Sequence, residues 1–426
     1  MSDSQRGSAT TAFATVTVLF FLWGFATASI DPLVPTMRTV FNLSYAESML
    51  TQFAFFLAYG VVSLPAAAVL ERMGYANTTL LALGTMLLGC LLIPVATHTG
   101  TYAFVLAALF VIAAGIALLQ VTANPLAALL GSPERSDFRL TLSQTFNSLG
   151  TVIAPFIGSY LVLSGGVFAA NATAASRDAT LHNVNTQFLL IAAILVLLGL
   201  FMWRMRHLLR IPVESETAAS SSLAAFTSRW ALFGGLAIFL YVGAEVSIGS
   251  VMINFLHQPA ILNVSYATAG KLLSLYWGGA MVGRAVGSGL LLRIPAERLL
   301  TINAIVALAL CFVITQEGGL VASLLGGVSA GHIAGAAAIA IGLFNSIMFP
   351  TIFSLTLKHS SANAPSTSGL LCTAIVGGAI LPLLMGFAAD SFGIAHAFFV
   401  PIVSYACIAA FALATAARAD VPVRHG

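Results

Sequence analysis

Charge is what this sequence has least of. Aspartate, glutamate, lysine and arginine together make up 7% of its 426 residues, against roughly 25% in an ordinary soluble domain. That shortage excludes a chain whose surface lies mainly in water. Cysteine is scarce as well: Cys90, Cys311, Cys372 and Cys407 stand singly in separate apolar runs. A disulfide framework and a C-x-x-C metal pair are thereby disfavoured. No Ser-His-Asp arrangement, zinc-ligand spacing or phosphate-binding glycine loop is found, and most of the eight histidines fall in loops or near helix ends. An enzyme is therefore disfavoured, and neither a metal nor a cofactor is called for. The net charge of +3 implies no nucleic-acid partner.

What the chain does contain is apolar length: 59% of it is hydrophobic and its mean hydropathy is +0.98. A bilayer core about 30 Å thick takes roughly 20 apolar residues at about 1.5 Å each. Twelve such runs can be counted, at 11–36, 47–70, 77–96, 102–130, 139–163, 187–205, 230–256, 267–292, 298–314, 330–357, 367–388 and 394–417. Each is predicted to be a helix, because an unpaired backbone amide in hydrocarbon costs several kcal/mol and barrel strands would alternate in polarity. The fold class is an all-α membrane protein with twelve transmembrane helices. Threaded with the N-terminus inside, thirteen of the seventeen basic residues fall on the cytoplasmic side, and only Arg38 and Arg177 face outward. Both termini are expected in the cytoplasm of a bacterial inner membrane. The polar stretch 1–10 has no cleavage pattern after a short apolar core, so the first span is read as retained.

The chain repeats itself. Asn42-Leu43-Ser44-Tyr45-Ala46 before the second span recurs as Asn263-Val264-Ser265-Tyr266-Ala267 before the eighth. Phe21-Leu22-Trp23 with Ser29-Ile30 recurs as Phe239-Leu240-Tyr241 with Ser247-Ile248, and Gly150, Ile153 and Pro155 recur as Gly377, Ile380 and Pro382. Three ordered matches at nearly constant spacing argue for duplication. The expected organisation is a six-helix bundle over 1–207, a polar cytoplasmic linker at 208–228 and a second six-helix bundle over 229–426. Two parallel six-helix repeats resemble the plan of the major facilitator superfamily, in which substrate binds between the halves near the midplane.

Two acidic residues lie well inside apolar runs, Asp31 in the first span and Glu245 in the seventh. An Asp at a helix centre costs about 2.5–3.5 kcal/mol on insertion scales, so such a group faces a cavity, pairs, or binds a proton. Asp31, flanked by Pro32 and Pro35, is the candidate proton carrier; an ion pair with Arg38 or Lys271 is the structural alternative. Glu245 lies one turn after Tyr241 on the same face and is a candidate sugar acceptor, a second proton site, or a tie to a neighbouring helix. Gln120 and Asn124 in span 4, Gln144 and Asn147 in span 5, and Asn345 in span 10 supply amides that both donate and accept, as a polyhydroxylated ligand requires. Hydrogen bonds between helices, worth about 0.6 kcal/mol each, are the plain alternative. Tyr241, Tyr276 and Trp277, with Trp23 and Tyr59, could stack on a sugar ring or simply pack. Glu71, Arg72, Arg139 and Arg284 sit near the cytoplasmic ends of spans and read as a structural charge latch.

The stretches Phe20-Phe21-Leu22-Trp23-Gly24 to Asp31, Gln120-Val121-Thr122-Ala123-Asn124-Pro125, Gln144-Thr145-Phe146-Asn147-Ser148-Leu149-Gly150, Tyr241-Val242-Gly243-Ala244-Glu245 and Phe349-Pro350-Thr351-Ile352-Phe353-Ser354 resemble the fucose:proton symporter family of the major facilitator superfamily, over nearly the whole chain. The resemblance implies sugar uptake driven by a cation gradient, with Asp31 as the proton-coupling residue and Gln144 and Asn147 lining the sugar cavity. Gln120 stands where the fucose symporter has a glutamate, and with Glu245 this is more similar to the glucose/galactose branch. The expectation is a monomer in the lipid bilayer that takes up a hexose with a coupling proton. Sodium coupling or uncoupled transport of fucose, mannose or N-acetylglucosamine is the rival within transport. A sugar receptor or a drug exporter is a rival from another class.

Overall fold

The computed structural model describes residues 3–130, 136–168, 174–206, 224–291, 293–325, 329–362 and 364–419, and among these every regular element is helical. The helices are α1 (Asp3–Ala28), α2 (Leu33–Phe41), α3 (Tyr45–Thr99), α4 (Tyr102–Leu129), α5 (Ser136–Leu161), α6 (Ala174–Met205), α7 (Arg229–His257), α8 (Tyr266–Leu290), α9 (Ala296–Thr315), α10 (Gly319–Leu325), α11 (Ala330–Asn345), α12 (Met348–His359), α13 (Ala364–Thr373), α14 (Gly377–Phe392) and α15 (Phe399–Ala419). Nine stretches among the described residues are long and apolar enough to cross a bilayer. The predicted spans map onto these elements in order. Spans 1, 10 and 11 are each two helices in succession, whereas spans 2 and 3 join as α3, broken where Gly74 takes φ 73° and ψ 168°. That left-handed φ suits glycine because a Cβ would crowd the carbonyl.

Two expectations shift. Span 6 begins at Ala174 rather than at 187, since Arg177, Asp178, His182 and Asn185 continue the helix past the stretch that hydropathy marks. The short α10 follows span 9 where no element was expected. The first part of the linker, 208–223, lies outside the described residues.

The chain forms two compact units, one of Met1–Leu43 with Ala54–Thr217, the other of Ser44–Phe53 with Ala218–Gly426. The repeats seen in sequence recur as backbone geometry. Asn42 and Asn263 both take left-handed φ, 53° and 50°, a conformation asparagine tolerates because its side chain can bond locally. In each case a serine two residues on caps the next helix: Ser44 Oγ accepts from Glu47 N at 3.1 Å and Ser265 Oγ from Thr268 N at 3.2 Å. Glu47 returns a bond to Ser44 N at 2.8 Å, completing a capping box. In the second unit Asp390 of α14 takes the remaining donors of that turn, Tyr45 N and Ala46 N, at 2.8 Å each. The matched glycines do matched work. A Cβ on Gly150 would strike the Phe21 carbonyl, and one on Gly377 would strike the Phe239 carbonyl. Phe21 and Phe239 are themselves repeat partners, so α5 crosses α1 and α14 crosses α7 through the same backbone contact.

Candidate functional site

In the first unit the acidic residue sits on a break. Pro32 has no N–H to give the Ala28 carbonyl, so α1 cannot continue. Asp31 N turns to Ala28 O at 3.3 Å, and Leu33 N bonds Ile30 O at 2.8 Å instead of reaching Ser29 O. Asp31 lies in the middle of this turn and is 5% exposed. The Ser29 carbonyl, deprived of its helical donor, is approached at 3.5 Å by Gln187 Nε2 from α6. Gln187 is buried, and its Oε1 has no hydrogen-bond partner among the described residues. An unpaired buried acceptor costs about 1–3 kcal/mol. Pro32 nests on Gly158 of α5, where a Cβ would lie 2.7 Å from Pro32 Cγ and 3.8 Å from Gln187 Oε1.

The amides lie one helical segment away. Asn147 Nδ2 donates to the Phe20 carbonyl at 3.1 Å, and Gly24 has no side chain because Asn147 occupies that place. Gln120 Nε2 donates to the Tyr59 hydroxyl at 3.0 Å. Tyr59 stacks on Phe56 with ring centroids 5.6 Å apart, and Trp23 packs on Phe20 at 5.0 Å. Gln120, Gln144 and Asn147 are all half-buried. The side chains of Asn124, Glu71 and Arg139 lie outside the described ones. Arg72 is exposed.

In the second unit a hydroxyl network surrounds Glu245. Tyr241 Oη donates to Glu245 Oε1 at 2.8 Å and lies 3.1 Å from the Asn345 carbonyl. Tyr276 Oη donates to the Glu245 carbonyl at 3.2 Å; Asn345 Nδ2 donates to Tyr276 Oη at 3.0 Å; Tyr405 Oη donates to Asn345 Oδ1 at 2.7 Å. Tyr241, Tyr276, Asn345 and Tyr405 are buried to 1% exposure or less. Glu245 is the exception. It is only half-buried, while every other residue from Tyr241 to Leu256 is buried. Arg284 of α8, half-buried, donates from Nε to the Ser346 carbonyl at 3.4 Å and lies within electrostatic reach of Glu245. Trp277 meets Tyr276 edge-on at 5.1 Å.

Sequence reasoning therefore brought together Tyr241, Glu245, Tyr276 and Asn345, and it also named Arg284 without placing it beside them. It missed Tyr405 and Gln187. Tyr405, with only Ser404 beside it, reads as one more aromatic in an apolar run, and Gln187 sits at the first residue of the predicted sixth span, where a polar side chain reads as a boundary.

The model of the Major Facilitator Superfamily matches residues 16–375. A glucose/galactose transporter of Brucella abortus is 43% identical over 94% of this chain and 93% of its own length. The L-fucose-proton symporter of Escherichia coli is 30% identical over 94% and 92%. The crystal structure of the transporter FucP in the outward conformation superposes with a TM-score of 0.68 at 29% identity, covering 96% of this chain and 99% of that one. With broken first and tenth spans, repeated Asn-Ser caps and two like helix crossings already evident, the chain belongs to the Major Facilitator Superfamily and is a multi-pass membrane transporter rather than an enzyme.

Proposed function

We propose that the chain is a proton-coupled symporter that takes up a hexose such as glucose or galactose by alternating access, with Asp31 as the protonation site. The observation that carries this reading is Asp31 itself, buried on a helix break in a chain 43% identical to glucose/galactose transporters and 30% identical to an L-fucose-proton symporter. A break frees backbone groups and lets the carboxyl group gain or lose a proton without disturbing a continuous helix. Gln120, Gln144 and Asn147 supply the amides for the sugar in residues 1–207, and Asn124 joins them as a sequence-based candidate. In residues 229–426, Glu245 offers its Oε2 to a sugar hydroxyl while Tyr241 holds Oε1. Tyr276 and Asn345 support that carboxylate, and Trp277 gives an aromatic edge. Residues 208–228 link the two bundles, both termini are cytoplasmic, and the working unit is a monomer in the inner membrane.

Uptake of labelled glucose into proteoliposomes, with and without an acid-outside gradient, tests the reading. Greater accumulation under the gradient is expected. Equal accumulation in both rejects proton coupling, and accumulation driven by a sodium gradient instead would replace the coupling ion.

A further inference from the structure

Span 10 is broken as span 1 is. Its first helix, α11, ends at Asn345, and the ladder restarts only where Thr351 N reaches back to Ile347 O at 3.1 Å. The Asn345 carbonyl beyond that last turn is met by Tyr241 Oη at 3.1 Å, while the same hydroxyl lies 2.8 Å from Glu245 Oε1. A phenol carries one proton and donates it once. When Glu245 is ionised, the carboxylate is the stronger acceptor and takes that proton. The Asn345 carbonyl is then unserved among fully buried side chains. When Glu245 is protonated, its own O–H donates to Tyr241 Oη, and the tyrosine hydrogen turns to the Asn345 carbonyl. One proton enters from solution onto the carboxylate; no other covalent bond is made or broken.

We propose that Glu245 is a proton-binding site and that Tyr241 is the positioning residue that transmits its charge state to the break between α11 and α12. The surroundings hold the relay in place. Tyr276 and Tyr405 clamp both ends of the Asn345 side-chain amide at 3.0 and 2.7 Å, so that amide is already engaged and the backbone carbonyl of the same residue is left to Tyr241. The charged group facing Glu245 is Arg284 of α8, and the facing hydroxyls are Tyr241, Tyr276 of α8 and, through Asn345, Tyr405 of α15. Among the described side chains, the other charged ones on helices packed against α7, Lys271 of α8, Lys358 of α12 and Asp390 of α14, lie towards the ends of those helices. The inference is independent of the role of Asp31 and of which sugar is carried.

Hydrogen–deuterium exchange of the amides of Ile347, Met348, Phe349 and Thr351, in the purified full chain and corrected for the intrinsic effect of pH, reads the break directly. In the native protein, protection is expected to rise roughly three- to tenfold as pH falls through the titration of Glu245, the effect of one neutral hydrogen bond. Tyr241→Phe should abolish that step. Glu245→Gln, whose amide can donate to Tyr241 Oη, should hold protection at the low-pH plateau throughout. Asp31→Asn should leave the step intact. A step that survives in Tyr241→Phe, or that vanishes in Asp31→Asn, overturns the proposal. If Tyr241→Phe does not fold, a pH step persisting in Glu245→Gln overturns it by itself.

Discussion

Replacing Gly150 by alanine tests whether the crossing of α1 and α5 is the rigid frame on which Asp31 is mounted. The added Cβ would lie 2.7 Å from Phe25 N and closer still to the Phe21 carbonyl, whereas unstrained contact begins near about 3.5 Å. The neighbours are backbone atoms, so no rotamer change relieves the overlap; the helices must part by roughly 1 Å. Overpacking of this kind costs about 1–3 kcal/mol. The same movement stretches the 3.1 Å bond from Asn147 to the Phe20 carbonyl, which adds about 0.6 kcal/mol. Thermal unfolding in detergent, followed by thiol labelling of buried Cys90 and Cys311, should show a clear loss of stability together with slower sugar uptake. Gly377→Ala should behave alike, since its Cβ would fall 2.6 Å from the Phe239 carbonyl carbon. Gly199→Ala, where nothing lies within 4 Å, is the control and should melt like the native protein. A Gly150→Ala protein as stable and active as Gly199→Ala would refute the frame.

Three further substitutions probe separate contacts. Asp390→Ala removes the acceptor of Tyr45 N and Ala46 N and should cost about 0.5–2 kcal/mol as a lost helix cap, visible as a lower melting temperature; an unchanged melting curve would contradict it. Gln187→Leu deprives the Ser29 carbonyl of its donor and should reduce maximal proton-driven uptake, with Gln187→Asn restoring part of it; native rates in the leucine variant would deny Gln187 a role at the break. Tyr59→Phe and Gln120→Leu each sever the 3.0 Å bond between these side chains. Both should weaken sugar binding by roughly 2- to 12-fold, the cost of leaving one side chain unpositioned, and the double variant should lose no more than the worse single one; additive losses in equilibrium binding would show that the pair does not act together.

The architecture was readable from sequence because lipid imposes long apolar runs and because duplication copies its punctuation. Asn42 and Asn263, or Gly150 and Gly377, are visible as pairs before any coordinate is known. The site was readable where partners share a helix face, as Tyr241 and Glu245 do. It was opaque where the partner comes from a distant span: Tyr405 reads as one more aromatic, and nothing local connects Arg284 to Glu245 or Gln187 to Ser29. The helix breaks fall between these cases. Pro32 announces the first and Pro350, with no N–H for the Ser346 carbonyl, the second, but the bond from Tyr241 to the Asn345 carbonyl, 104 residues apart, leaves no local mark.

The reading that Asp31 carries the coupling proton meets its most direct test in an Asp31→Asn protein reconstituted beside the native one. Under an acid-outside gradient the variant should fail to accumulate sugar, yet it should still exchange labelled for unlabelled sugar across the membrane, because binding and rocking need no change of charge. Gradient-driven accumulation that persists in the variant would contradict the account.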